Sequence, residues 1–209
     1  MKFISRVARC AATSVTEPSA TGNNLFRAGT SQRGVAAHLR EGGLIAYPTE
    51  SCYGLGCDPN NRTAVLRLLR LKQRPQHKGL ILIASHYQQL TRYIVPLSAS
   101  QQQRLRLAGL QAITYLMPAK HTAPRWLRGT SDSLAVRLTG HPEAAKLCAA
   151  INLALVSTSA NLSGLRPAKT YSECQRRFGN KVWVLPGRIG KRKKPSTIKV
   201  WGSEATVRY

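Results

Sequence analysis

From Leu80 to Ala84 the chain reads Leu-Ile-Leu-Ile-Ala, with no polar residue to turn toward water. A strand with one wet face alternates, so a strand this apolar is covered on both faces, as in the interior of a sheet packed between helices. Residues 44–47 form a second short apolar run closed by Pro48 and read as another buried strand. Further strand candidates fall at 112–116, 133–138, 154–157, 182–185 and 197–201. Helical patterns lie among them. Residues 34–40 are stopped by Gly42-Gly43. From Asn61 onward Val65, Leu66, Leu68, Leu69 and Leu71 keep helical spacing, with Asn60 or Asn61 as the cap. Segments 87–93, 99–107, 142–151 and 171–178 follow the same rule. Interleaved strands and helices predict an α/β domain built on a single twisted sheet with flanking helices. That sheet is expected to be mostly parallel or mixed, because the gap from 112 to 138 holds loop instead of a crossover helix. At 209 residues the chain is long enough for one sizeable core.

Lys and Arg number 32 against 8 Asp and Glu, a formal net charge of +24. Such an excess makes a compact chain repel itself and points to a polyanionic partner, RNA or a nucleoside triphosphate. A membrane surface is the competing polyanion, but no basic amphipathic helix stands out and no apolar run reaches the length of a membrane span. A general basic bias of the parent proteome is the remaining explanation. The five cysteines, Cys10, Cys52, Cys57, Cys148 and Cys174, are odd in number and scattered. They argue against a disulfide framework and for a reducing compartment, the cytoplasm. Cys52 and Cys57 form the one close pair and lack the second Cys or His pair of a zinc site. Residues 1–32, with Arg6, Arg9, Arg27 and one acid, Glu17, read as a flexible basic leader before a domain over 33–209. A disordered extension or an early start codon fits this stretch better than a transit peptide.

Familiar catalytic signatures are missing: there is no G-x-x-x-x-G-K-[ST], G-x-G-x-x-G, H-E-x-x-H or G-x-S-x-G. Eight acids leave few candidates for a paired-carboxylate mechanism, and the five histidines are widely separated. What remains is positive charge and hydroxyl groups, which suit phosphoryl or adenylyl transfer, where a protein chiefly positions and neutralises. Three segments offer such groups. Tyr47-Pro48-Thr49-Glu50-Ser51-Cys52-Tyr53-Gly54-Leu55-Gly56 leads a strand into a proline, hydroxyl residues and two glycines that permit tight turns. Leu71-Lys72-Gln73-Arg74-Pro75-Gln76-His77-Lys78-Gly79 ends a helix in cations, which either serve the helix terminus or, with Lys72 and Arg74 on one side of extended chain, reach one triphosphate. Val156-Ser157-Thr158-Ser159-Ala160-Asn161-Leu162-Ser163-Gly164 releases a strand into small polar groups, either turn formers or ligands for phosphate and ribose. Near the end, Arg188, Lys191, Arg192, Lys193 and Lys194 crowd before Pro195-Ser196-Thr197, as a solvated loop or as a wrap for a phosphate chain.

Together with residues 133–138, these segments resemble, in order and approximate spacing, the YrdC/TsaC family of threonylcarbamoyl-AMP synthases, from about residue 34 to the C-terminus. The resemblance implies a YrdC-like sheet with a large basic concave surface. It also implies a nucleotidyltransferase: the amine of L-threonine takes up bicarbonate or CO2, the carbamate attacks the α-phosphate of ATP, and diphosphate leaves. A partner enzyme complex then moves the threonylcarbamoyl group to tRNA reading codons that begin with A. By position, Lys72, Arg74, Ser159 and Asn161 take the family's catalytic K-x-R and S-x-N places at the ATP phosphates and ribose. Lys78, Thr114, Ser157 and Ser196 are its further ATP positions, while Ser51 and Arg137 hold threonine, Arg137 by the carboxylate. Magnesium is expected on the ATP phosphates and water, with no metal site of the chain's own. One stretch departs from the pattern. Gly109-Leu110-Gln111-Ala112 stands where relatives commonly carry a Trp-Pro-Gly-Pro type turn, and the missing proline is expected to loosen that wall and lower activity. The rival expectation, favoured by the charge and this turn, is an RNA-binding or ribosome-assembly factor on the same fold with little or no synthase activity.

Overall fold

The computed structural model describes residues 31–203 and 205–208, so Cys10 and nearly all of the predicted leader lie outside the described residues. The helices are α1 (Gln32–Arg40), α2 (Arg62–Lys72), α3 (Ala99–Leu110), α4 (Arg125–Arg128), α5 (Pro142–Ile151) and α6 (Tyr171–Phe178). The strands are β1 (Ile45–Pro48), β2 (Tyr53–Gly56), β3 (Ile81–Ala84), β4 (Ile113–Pro118), β5 (Ser133–Leu138), β6 (Leu155–Ser159), β7 (Trp183–Val184), β8 (Thr197–Val200) and β9 (Thr206–Arg208). They form one sheet in the order β7-β1-β2-β6-β3-β5-β4-β8-β9. The pairs β1–β7, β3–β5 and β4–β8 are parallel, and the other neighbours are antiparallel. The sheet is therefore mixed, and the mostly parallel form of the expectation does not hold. The reason is local, since β1 and β2 meet through a tight turn while β4 and β5 pair antiparallel across a connection holding only the single turn of α4.

Both faces of the sheet are covered. Ile45 and Tyr47 of β1, Ile83 of β3 and Leu155 of β6 pack with Val35 and Leu39 of α1 and Leu147 and Ile151 of α5. Ala46, Leu82, Ala84 and Val156 point the other way, toward Val65 and Leu68 of α2, Leu105 of α3 and Phe178 of α6. This two-sided burial is why the Leu80–Ala84 run carries no polar residue. Leu82 and Ile83 are fully buried on opposite faces, and each such side chain contributes about 1.5–3 kcal/mol of transfer free energy. Helix starts follow their caps. Asn61 Oδ1 accepts from Ala64 N at 3.0 Å to begin α2, and Ser98 with Gln101 forms a capping box on α3.

The helix expected at 87–93 is instead a 3-10 turn over Tyr87–Leu90. Pro96 disfavours helical backbone at the residue before it, and Gln89 is turned inward, donating to Cys148 O at 2.7 Å and accepting from Ser85 N at 2.9 Å. Strand β2 was not expected from the glycines at 54 and 56. Gly56 sits there because a Cβ would lie 2.4 Å from Val156 O, so only a bare backbone fits between β1 and β6. No described helix is long and apolar enough to cross a membrane.

Candidate active site

Three returning segments meet at one end of the sheet. Thr49 N and Thr49 Oγ1 both donate to Cys52 O, at 3.0 and 2.7 Å, which closes the β1–β2 turn. Strand β6 leaves the sheet alongside β2, with Thr158 opposite Leu55. The loop before β8 folds back over both, since Gly190 N donates to Thr49 O at 2.9 Å and Arg192 N to Glu50 O at 3.0 Å. Between them lies a cleft lined by Glu50, Ser51, Arg74, Arg137, Ser157, Ser159, Asn161, Lys169, Arg192, Lys193 and Ser196, among others.

Lys72 and Arg74 do not share extended chain. Lys72 closes α2, and Gln73 takes the left-handed region at φ 52° before Arg74. Lys72 is 4% exposed. Its Nζ donates to Ser159 O, to Asn161 O at 2.8 Å, and at longer range to Asn161 Oδ1 at 3.5 Å. It stands behind the cleft wall, tying α2 to the exit of β6, and does not line the cleft. Burial and then the neighbouring Arg74 lower its pKa to about 8. Arg74 does reach the cleft, with Nη2 donating to Gly79 O at 3.0 Å and to Lys78 O at 3.3 Å. Lys78 itself is exposed and outside the cleft lining.

The S-x-N segment forms a braced loop. Ser159 Oγ donates to Asn161 Oδ1, and Asn161 Nδ2 donates to Leu162 O at 2.7 Å and Leu165 O at 2.8 Å. Asn161 thus spends its side chain on loop shape while still facing the cleft. Thr114, fully buried on β4, donates to Ser196 Oγ at 3.1 Å and stays out of the lining. It supports Ser196, which does line the cleft. Ser51 and Ser157 also sit on the wall.

Arg137 reaches in from β5 and pairs with Glu50, Nη2 to Oε2 at 3.1 Å, while Glu50 Oε1 accepts from Thr139 Oγ1 at 2.9 Å. Burial pushes the Glu50 carboxyl up, but Arg137, the Glu50 backbone amide, Thr139 and His141 outweigh it and hold the group below the usual carboxylate range. His141 is pushed down by burial, and its Nε2 shares a hydrogen bond with Arg188 O at 3.1 Å. Cys52 lines the cleft too, with burial raising its pKa and disfavouring the thiolate a nucleophile needs. Cys57, Cys148 and Cys174 are buried free thiols.

The segment at 109–112 is held without a proline. Gly109 lies inside α3, where a Cβ would meet Leu138 O at 1.9 Å. Ala112, at φ 53°, donates to Gly109 O at 2.9 Å, and Arg192 Nη1 donates to Gln111 O at 3.1 Å. Two charged cleft residues carried no prior role. Glu50 stood only as part of the segment from Tyr47 to Gly56, and Lys169 carried no local signal that marked it. Arg74, Arg137, Lys169, Arg192 and Lys193 face a single carboxylate, Glu50, across this cleft. The balance suits a ligand with several negative charges held by fixed cations and hydroxyls.

The Sua5/YciO/YrdC family model, described as "Telomere recombination", matches residues 37–207. The chain is 54% identical over 176 residues to the threonylcarbamoyl-AMP synthase of Methylobacillus flagellatus, covering 84% of this chain and 98% of that one. It is 51% identical over 163 residues to the protein of the same name from Escherichia coli, covering 77% and 86%. Among solved structures, P. abyssi Sua5 in complex with L-threonine matches with a TM-score of 0.75 at 27% identity, over 84% of this chain. This chain spans about half of that one, 52%. Escherichia coli YciO shares the fold, with a TM-score of 0.71 at 24% identity over 86% of this chain and 90% of its own.

Proposed function

The chain belongs to the Sua5/YciO/YrdC family, and from that membership we propose that it is a threonylcarbamoyl-AMP synthase acting on L-threonine, bicarbonate or CO2, and ATP. The observation that carries the activity is the 54% identity to a synthase over 98% of that enzyme's length. The Sua5 complex with L-threonine supports the amino-acid substrate.

In this reading the triphosphate lies against Arg74, Arg192 and Lys193, with Ser157, Ser159, Asn161 and Ser196 along its oxygens and ribose. Ser51 and Arg137 hold threonine. Its amine adds to CO2, a carbamate oxygen attacks the α-phosphorus, and diphosphate departs on the opposite side. The cations neutralise charge as it builds on the phosphoryl oxygens and the leaving group, which is where fixed positive groups in a partly dry cleft lower a barrier. Lys72 acts from behind, holding the Ser159–Asn161 loop, and Thr114 does the same for Ser196. Lys78 contributes a carbonyl that holds Arg74. Magnesium would be held on the ATP phosphates and water, where it would neutralise charge on the phosphoryl oxygens. The product serves a tRNA-modifying enzyme complex in the cytoplasm.

The test is diphosphate release from ATP. Release that requires both threonine and bicarbonate is the expected outcome. Salt-sensitive RNA binding without turnover would instead mark an RNA-binding or ribosome-assembly factor on this fold.

A further inference from the structure

An α-amino acid carries its ammonium and carboxylate on one carbon, so a site that recognises both must present opposite charges side by side. The cleft does so at one place. Arg137 and Glu50 stand 3.1 Å apart at their nearest atoms, and both line the cleft. Arg137 is 7% exposed, and its Nε is buried without a hydrogen-bond partner among the described residues. Its fork therefore has a donor to give while Nη2 keeps Glu50. Glu50 is fixed from behind by Thr139 Oγ1 at 2.9 Å and from its own backbone, whose carbonyl accepts from Arg192 N at 3.0 Å. Every other charged group lining the cleft is a cation, so an ammonium finds one attractive wall and is repelled by the rest.

We propose that Glu50 is the ammonium-recognising residue of the amino-acid site, paired with Arg137 as a two-ended clamp for a zwitterion. The inference rests on the reading that this cleft takes L-threonine. It assigns Glu50 a part in choosing the substrate: an amino acid is drawn to the clamp, whereas a hydroxy acid that offers only a carboxylate meets Glu50 as a repelling charge. The ion pair also keeps Arg137 aimed before the substrate arrives, so little ordering remains for binding to supply.

The experiment is calorimetric titration of the whole chain with L-threonine and with 3-hydroxybutyrate, which is threonine without its amine. The wild type should favour L-threonine by about tenfold or more, the scale of one charged hydrogen bond. In Glu50→Gln, which keeps size and an acceptor for Thr139, threonine should weaken by a similar factor while 3-hydroxybutyrate holds or tightens, so the preference collapses. Glu50→Asp, run alongside, keeps the charge and should keep the preference even where overall affinity falls or the Gln variant folds poorly. If Glu50→Gln loses both ligands equally, or keeps the wild-type preference, the clamp is wrong and the threonine site stands. If the wild type binds no threonine, both readings fall together.

Discussion

Replacing Lys72 by methionine keeps the buried stem and removes the ammonium that ties α2 to the Ser159–Asn161 loop. Two short hydrogen bonds and one long one are lost, and bonds from a charged donor are worth about 1.5–3 kcal/mol each. Against this stands the burial of the charge: a pKa brought from 10.5 to about 8 corresponds to about 3 kcal/mol that methionine does not bear. Counting the two short bonds, the difference is about 0–3 kcal/mol, which leaves the fold standing but frees the loop. Since displacing a catalytic wall by an ångström can lower turnover about 100-fold, threonine- and bicarbonate-dependent diphosphate release should fall by roughly that factor. Hydrogen exchange should show the same event directly, with faster exchange confined to residues 159–165. Wild-type turnover in Lys72→Met, or unchanged exchange across that loop despite lost turnover, would refute the bracing role.

The lowered pKa of Lys72 has a pH signature. Between pH of about 8 and 10.5 the folded protein has lost this proton while the unfolded chain keeps it, so the Lys72 contribution to folding stability rises with pH across that window. Turnover should fall over the same window, because a neutral amine has two protons for three acceptors; Lys72→Arg, still charged, should not show that decline in activity. Gly109→Ala should lower the unfolding midpoint by several degrees, since its Cβ would press on Leu138 O at 1.9 Å; an unchanged midpoint would mean α3 can slide. Thr114→Val removes the fully buried hydroxyl bonded to Ser196 and should cost about 1–2 kcal/mol in denaturant unfolding, with a raised KM for ATP and little change for threonine.

The layered architecture was legible because it follows from composition along short windows. Leu80–Ala84 has no polar residue for a physical reason, two covered faces, and the chain displays that reason openly. Strand β2 was not legible, because Tyr-Gly-Leu-Gly lacks the branched residues of a strand and its second glycine, Gly56, answers to a neighbour, Val156, a hundred residues away. The cations illustrate a deeper limit. In sequence Lys72 and Arg74 look alike, both charged and both beside a helix end. One turns outward to the cleft, and the other is buried against carbonyl oxygens at residues 159 and 161. Backbone acceptors exist at every position and carry no mark in the sequence, so nothing local tells a bracing lysine from a ligand-binding one. Glu50 was hidden in the same way, since its meaning comes from Arg137 on a strand far along the chain.

The loop that hangs from Thr49 and Glu50 by the amides of Gly190 and Arg192 has a bearing on synthesis. Domains assemble as they leave the ribosome, from the N-terminus at about 5–20 residues per second. A nascent chain that has emerged through β6 already owns the β1–β2 turn, Arg74, Arg137 and the Ser159–Asn161 loop, yet it lacks the strap that covers them. Until residues 190–196 arrive, the cationic floor of the cleft lies open beside the ribosome, itself a polyanion. The strap, translated after the other residues that line the cleft, is therefore the segment that turns an open cationic floor into a walled pocket.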